Sequence, residues 1–413
     1  MQSGGIKSLL RTALIGSFVL VVSQSLNAQQ LLRLQLPAGD SGNAPISFMR
    51  PHYFIHEAAG ASLSGPPSSA FVPSQIRHAY GFDLIANQGA GQTIGVVDAY
   101  DDANAENDLD VFSKKFSLPS CTSGNGCFRK VYSNGRKPAA NSNWSVEISL
   151  DIEWAHAIAP QAKIVLIEAP SNNLSDLLSA VDVAVRNGAS TVSMSWTAGE
   201  ISSERNLDNH FVANGVTFLA ASGDTGTGVN YPAASPYVIG VGGTSLSLDV
   251  HGNYLGEAAW SGSGGGLSRY ENEPLAQEQF AIPDDSRGSR GVPDVSYNAN
   301  PGTGYAIYDS VGINGASGWF QVGGTSAGAP QWAALVAIAN SQRAASRKAN
   351  LSSANGTVYS TAKSNLGANF HAVTAGTNGS CGVICDALAG YDYVTGLGTP
   401  QSKLLVPALV SHP

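Results

Sequence analysis

Ser326 sits in the stretch "GGTSAGAP", behind Gly323, Gly324 and Thr325 and ahead of Ala327, Gly328, Ala329 and Pro330. A serine hydroxyl opening a helix becomes a nucleophile only with a base in hydrogen-bond reach. The sequence holds eight histidines: His52, His56, His78, His156, His210, His251, His371 and His412. Asp98, His251 and Ser326 follow the chain order of one histidine-based triad. However, His251 lies in "LDVHGNYLG", which reads as a hairpin turn, and His156 reads as a packed helix residue. Carboxylates offer another base. In "NWSVEISLDIEW", Glu147 and Asp151 are four apart on an expected helix and share one face. Two close carboxyls repel when both ionise, so one pKa rises and the pair shares a proton. Such a pair can act as a base at acidic pH, where histidine is already protonated. The same spacing also fits an ordinary solvated pair. In "AASGDTGTG", Asp224 ends an expected strand. Protonated, it could donate to a developing oxyanion; an Asp that merely shapes a turn is the alternative.

These side chains need a scaffold, and the pattern supplies one. "QTIGVVDAY" (92–100), "KIVLIEA" (163–169), "STVSMSW" (190–196) and "VTFLAASGD" (216–224) read as buried strands. Helices are expected over 103–116, 145–159 and 173–188, near 203–214, and from Ser326 through "SAGAPQWAALVAIANSQRAA". Pro330 is tolerable there, because a first helical turn has no partners for its N–H groups. Strands and helices alternating at this rhythm predict an α/β fold with a parallel sheet flanked by helices. The stretch 225–322 is Gly-rich and strand-like, and no internal repeat is visible.

Of 413 residues, 43% are hydrophobic and 13% charged, against a usual charged fraction of about 25%. That suits one large domain and a surface whose charge changes little on acidification. The net charge of −8, with no basic run, argues against a nucleic-acid partner. Lys7 and Arg11 precede an apolar run from Thr12 to Val22, too short to span a bilayer, and Ala28 ends a cleavage-like site. Residues 1–28 are therefore read as a signal peptide, and the mature chain as exported, soluble and free of the membrane. Residues 29–72 read as a short, partly ordered leader. Cys121/Cys127 and Cys381/Cys385 read as local disulfides in an oxidising compartment. A metal site is the rival reading, but neither pair has a histidine at ligand spacing.

Taken together, E-x-x-x-D at Glu147 and Asp151, S-G-D-x-G at Ser222–Gly226 and G-T-S-x-x-x-P at Gly324–Pro330 resemble the sedolisin family of serine-carboxyl peptidases. "VVDAYDDANAENDL", "WSGSGGGLSRY", "PDVSYNANPGTGYAIYD" and "GYDYVTGLGTP" extend the resemblance over roughly residues 73–407. It implies a subtilisin-like fold with a seven-stranded parallel sheet and a catalytic domain spanning 73–413. It further implies Ser326 as nucleophile, Glu147 as general base, Asp151 as its proton-sharing partner and Asp224 as oxyanion donor. The expected reaction is endopeptidase hydrolysis at acidic pH through an acyl-enzyme, by a monomer acting on proteins and peptides. Ser193 and Ser195 in "SMSW", and Ser263, Gly264 and Gly265 in "SGSGGG", are the expected substrate-lining residues, since extended backbone can pair with a peptide. Two features depart from the family. Residues 29–72 are short for an inhibitory propeptide. The family's calcium site uses an Asp in F-x-D-[IV]-T and another in G-Y-D; here "FHAVT" puts Ala372 at the first position, while Asp392 is retained. No cofactor is needed for the chemistry, and no tight calcium is expected, the Cys381–Cys385 loop replacing the ion as a local staple; the alternative is that Asp386 supplies the missing oxygen and calcium is retained. A histidine-based subtilase using Asp98, His251 and Ser326, and a catalytically dead secreted binding protein on the same fold, are the alternatives.

Overall fold

The structure is a computed structural model. It describes Met1, the backbone of Leu31–Leu32, and residues 48–56, 64–283, 287–352 and 354–413. The expected signal peptide lies outside the described residues apart from Met1. Leu31–Pro413 forms one compact unit. Among the described residues, no helix is long and apolar enough to cross a membrane.

An eight-stranded sheet forms the centre. From one edge it runs Tyr254–Ala259, Val238–Leu248, Thr217–Ala221, Thr191–Met194, Thr93–Ala99, Lys163–Ala169 and Phe128–Tyr132. Val295–Asn298 adds a further pairing with Val238–Leu248. Seven of the strands run parallel, as expected, and Tyr254–Ala259 is antiparallel. The parallel strands are apolar along their length because helices cover both faces. Alternation divides the core: Ile94, Val96, Ile164 and Leu166 enter one hydrophobic cluster, whereas Val97, Val165 and Ile167 enter the other. Helix Leu174–Arg186 sends Leu177 and Val181 into the second cluster. Helices Ser142–Ile158 and Gly328–Ala345 pack into the first and against each other. Both are buried nearly all round, so Ile152→Ala on the first would cost about 2–5 kcal/mol.

Local chemistry sets where these two helices begin. The Asn141 side chain accepts from the N–H groups of Asn143 and Trp144, capping the first helix. A single turn at Thr325–Ala327 leads into the second, and Pro330 falls in its first turn, where no hydrogen bond is lost. Two expectations are corrected. "STVSMSW" breaks at Ser195 into the strands Thr191–Met194 and Trp196–Gly199. The helix expected near 203–214 is two short 3-10 turns, Glu204–Asn206 and Asp208–Phe211. That segment buries only Phe211 among its apolar residues, too little for a helical face. Both disulfides form as read, Cys121–Cys127 and Cys381–Cys385.

The described parts of the leader belong to the body. Arg50–Pro51 pairs antiparallel with Trp196–Gly199, and Phe54–His56 pairs antiparallel with the end of Ala316–Gly323. Residues 48–56 thus form a strap across the sheet's C-terminal end, where open α/β sheets build their sites.

Candidate active site

Ser326, Glu147, Asp151 and Asp224 come from four stretches of sequence and converge under this strap. Ser326 is fully buried, and its Oγ is held in three directions. Oγ lies 3.3 Å from the Ser195 carbonyl, to which it donates, and accepts the His52 N–H at 3.2 Å. The Glu147 carboxyl is its third neighbour, close enough that Ser326 lowers the Glu147 pKa. Neither Glu147 oxygen has a well-formed hydrogen bond, so the hydroxyl faces this carboxyl without being committed to it. Asp151, one turn further along the helix, accepts from Ser195 Oγ at 2.8 Å; the same Oγ lies 3.2 Å from the Ser326 carbonyl. Ser195 therefore ties the second carboxyl to the backbone of Ser326.

A third carboxyl belongs to this group. Asp98 is the last residue but one of the strand Thr93–Ala99, is fully buried, and has no partner on either oxygen. Burial lifts its pKa to about 8. Burial also lifts Glu147 well above the carboxylate range, and the charges of Asp151 and Asp98 push the same way. Asp151 is raised by burial and then by Asp98, with the Ser195 hydrogen bond opposing. Three carboxyls in one dry pocket cannot all ionise, so they hold protons jointly and titrate as a unit. The sequence reading used Asp98 only in the histidine-based alternative. Its signal was a lone acid closing an otherwise apolar strand.

Asp224 lies on the other side of the serine. Its Oδ1 accepts from Thr325 N at 2.8 Å and from Thr325 Oγ1 at 2.7 Å. Its Oδ2 is buried and unpartnered, and burial raises the carboxyl to about 7. Gly324 explains why this corner has room. Its φ is +129°, and an added Cβ would lie 2.3 Å from the His52 carbonyl oxygen and 2.5 Å from Asp224 Oδ2. Those two oxygens flank one spot, which only a glycine leaves open. The same His52 carbonyl accepts the Ser326 N–H at 3.3 Å. A carbonyl thus lies on a backbone N–H, on the side of Gly324 that also faces a carboxyl neutral below about pH 7, and two such donors are what an oxyanion needs.

The other sequence-derived residues divide. His251 sits in the exposed turn Asp249–Asn253, as the hairpin reading expects, and is not brought to Ser326. His156 is buried, its Nε2 2.7 Å from the Pro119 carbonyl. The fold does bring it to Cys121 and Cys127, a proximity that spacing did not reveal, but both sulfurs are spent in their disulfide. Ser193 is buried in its strand with Oγ unpartnered. The peptide-pairing edge starts beyond it, at Trp196–Gly199. Ser263 Oγ donates to the Val394 carbonyl and accepts from Gly243 N, both at 2.8 Å. Gly264 and Gly265 pack on Ser222 and Tyr393 so closely that a Cβ would meet their carbonyls at 2.2 Å and 2.0 Å. These three residues buttress the Asp224 loop, with no strap residue paired to them.

The residues at the family's calcium position do not fit a calcium ion. Ala372 offers no side-chain oxygen. Asp392 Oδ1 accepts from Val394 N and Thr395 N at 2.8 Å, and Oδ2 from Thr395 Oγ1 at 2.8 Å and Leu388 N at 3.3 Å. Its carboxyl closes its own turn, with both oxygens already taken by N–H and O–H donors. Asp386 is exposed and its backbone bridges Thr377.

Comparison with known proteins places this geometry. Residues 138–382 match the Subtilase family. Kumamolisin from Bacillus sp. (strain MN-32) is 33% identical over 87% of the chain and 68% of its own length. Sedolisin from Pseudomonas sp. (strain 101) is 27% identical over 83% and 62%. The chain thus spans about two thirds of the length of these curated relatives. A solved structure of Pseudomonas sedolisin, a serine-carboxyl proteinase complexed with two molecules of pseudo-iodotyrostatin, superposes with a TM-score of 0.70 at 26% identity. The match covers 82% of this chain and 97% of that one. With that fold, and with the serine and carboxyls gathered at one corner of it, the chain belongs to the sedolisin family of serine-carboxyl peptidases.

Proposed function

We propose that the chain is an exported endopeptidase that hydrolyses peptide bonds at acidic pH. Ser326 attacks the scissile carbonyl carbon while Glu147 takes its proton. Asp151, fixed by Ser195, shares that proton and keeps Glu147 oriented, and Asp98 is a further positioning residue behind the pair. The oxyanion is held by the Ser326 N–H and the protonated Asp224. As the C–N bond breaks, Glu147 returns the proton to the leaving amine. Water then attacks the acyl-enzyme ester with Glu147 again as base, freeing the new carboxylate and restoring the serine hydroxyl. One observation carries this reading: a peptide carbonyl lies on the Ser326 N–H, beside the unpartnered oxygen of Asp224.

An acidic optimum follows from two opposite requirements. Asp224 must keep its proton, which burial secures up to about pH 7. The Glu147–Asp151–Asp98 group must release one. Desolvation is the largest cause holding those protons, and it is relieved when water enters an emptied cleft. Export is supported by the basic–apolar N-terminus and the two disulfides. The protein acts as a monomer on proteins and peptides, needs no cofactor for the chemistry, and holds no tight calcium.

The test is hydrolysis of a quenched fluorescent peptide by Ser326→Ala and Glu147→Gln, each checked for an unchanged melting curve. Both should lose activity. Full activity in Glu147→Gln would sink the assignment. A rate maximum at about pH 8 in place of about pH 4 would favour a histidine-based mechanism.

A further inference from the structure

The strap marks where a peptide backbone fits in the cleft, and its side chains show which half of the cleft encloses them next to Ser326. His52 sets the register: its N–H lies 3.2 Å from Ser326 Oγ, and its carbonyl takes the Ser326 N–H. Arg50 and Pro51 pair with Thr197 and Trp196 on the acyl side, which ends at that carbonyl. Phe54 and Ile55 pair with Gly323 and Val322 on the leaving side, which begins after it. A substrate threaded the same way has its first leaving residue where Tyr53 stands and its second where Phe54 stands. The three acyl residues nearest the serine are loosely covered: Arg50 is exposed, and Pro51 and His52 are half-buried. Tyr53, by contrast, is 3% exposed and belongs to the hydrophobic cluster of the two long helices. Its Oη donates to the Asn143 carbonyl at 2.9 Å, at the start of the carboxylate helix Ser142–Ile158. Gly324 lets the residue in, since a Cβ there would lie 2.8 Å from Tyr53 Cα. Burial, and then the nearby carboxyls of Glu147 and Asp309, hold the proton on the phenol, so the hydroxyl stays a donor. Phe54 is half-buried, and its ring meets Trp260 edge-on at 6.0 Å. Trp260 is itself buried, with its backbone N–H on the Gly243 carbonyl at 3.0 Å.

We propose that the leaving side sets the cleavage preference: the cleft selects a tyrosine immediately after the scissile bond, read by the Asn143 carbonyl, and an aromatic residue second, read by Trp260. This rests on the peptidase reading above. A tyrosine in the first position fills an apolar pocket and brings the one donor that the pocket can pair. Phenylalanine forgoes that hydrogen bond, which is about 3- to 10-fold in kcat/KM. Alanine also forgoes the buried ring, a further loss of about 10- to 100-fold. Aspartate adds a carboxyl to a dry pocket that already faces two, so it should do no better than alanine. In the second position, an aromatic ring edge-on to Trp260 is favoured over alanine by at least the about 3- to 10-fold of an aromatic pair.

The full chain is assayed at about pH 4 on quenched fluorescent peptides that share one acyl half. They carry Tyr, Phe, Ala or Asp after the intended bond, and Phe or Ala next. Every peptide must displace the same strap, so the ratios of kcat/KM report the pocket. Mass spectrometry of the products identifies the bond cut. Expected is the order Tyr, Phe, Ala in the first position and Phe above Ala in the second, with the bond before the varied residue cut. Trp260→Leu, checked by its melting curve, should flatten the second preference and keep the first. Equal kcat/KM for Tyr, Phe and Ala overturns the proposal and leaves the peptidase reading standing. Cutting after the tyrosine, which would place that ring on the acyl side, does the same. A folded Trp260→Leu that keeps its second preference overturns the part assigned to Trp260. No hydrolysis of any peptide overturns the proposal together with the peptidase reading.

Discussion

Replacing Asp224 separates its two jobs, hydrogen-bond donor and titrating acid. In Asp224→Ala the donor opposite the Ser326 N–H is gone. Losing one preorganised oxyanion donor costs about 10²- to 10³-fold in kcat, about 3–4 kcal/mol, and it falls on kcat because the oxyanion exists only on the reaction path. Asp224→Asn behaves differently. Its Oδ1 can keep the Thr325 N–H at 2.8 Å and the Thr325 hydroxyl at 2.7 Å, which places an NH₂ where Oδ2 stands. That group donates without titrating. Asp224 itself loses its proton at about 7, so one pH unit above this about a tenth of the wild-type donor remains. Asp224→Asn should therefore keep most of the wild-type kcat at about pH 4 and lose the alkaline limb that begins near 7. The assay is kcat and KM on a fluorogenic peptide from about pH 3 to 9, with melting curves to establish folding. A folded Asp224→Asn as inactive as Asp224→Ala would refute the donor role. A folded and active Asp224→Asn that retained the wild-type limb would assign that limb to another group.

Other perturbations test the rest of the site. Asp98→Asn puts a neutral amide where the carboxyl is itself neutral below about pH 8, so the acid limb of the rate profile should stay in place; a shifted limb would show Asp98 ionised at acidic pH. Ser195→Ala frees Asp151 of a hydrogen bond that lowers its pKa. The acid limb should rise and kcat fall about 10- to 100-fold with the melting temperature nearly unchanged, whereas an unaltered pH profile would make Ser195 merely structural. Stability should fall as pH rises. Asp98 and Asp224 hold protons up to about 8 and about 7, whereas unfolded carboxyls release theirs at about 4. The stabilisation is complete below about pH 4 and is lost toward those folded values, at about 1.4 kcal/mol per pH unit for each group. Melts of Ser326→Ala at about pH 4 and 6.5 should show the lower melting temperature at the higher pH; the reverse order would contradict the burial argument. Excess chelator should leave the melting temperature within about a degree, and a fall of many degrees would reveal a calcium that Asp392 helps to hold.

Local pattern carried the scaffold further than it carried the site. The strand 163–169 and the cap of the carboxylate helix depend on neighbours in sequence, so the strands and helices that frame the cleft were legible. The grouping of Ser326 with Glu147 and Asp151 was legible only because the carboxyls recur in a family pattern, since an E-x-x-x-D pair says nothing of burial. What stayed hidden depends on the third dimension. Asp98 is separated from Glu147 by the whole stretch between strand and helix, and only the fold makes it a third sharer of their protons. Ser263, Gly264 and Gly265 looked like a peptide-binding loop because extended glycine-rich backbone can pair with a strand. The tight packing of Ser222 and Tyr393 against it spends that backbone on holding Asp224 in place.

The leader is the sharpest case of a misleading local signal. Composition made it a partly ordered preface too short to govern the enzyme, and length is the wrong measure of a peptide that lies in a cleft. A substrate strand needs only enough residues to pair on either side of one carbonyl, and residues 48–56 meet that need with backbone hydrogen bonds that any sequence can make. Two positions are constrained beyond this: His52, whose imidazole meets Thr197, and Tyr53, whose hydroxyl reaches Asn143.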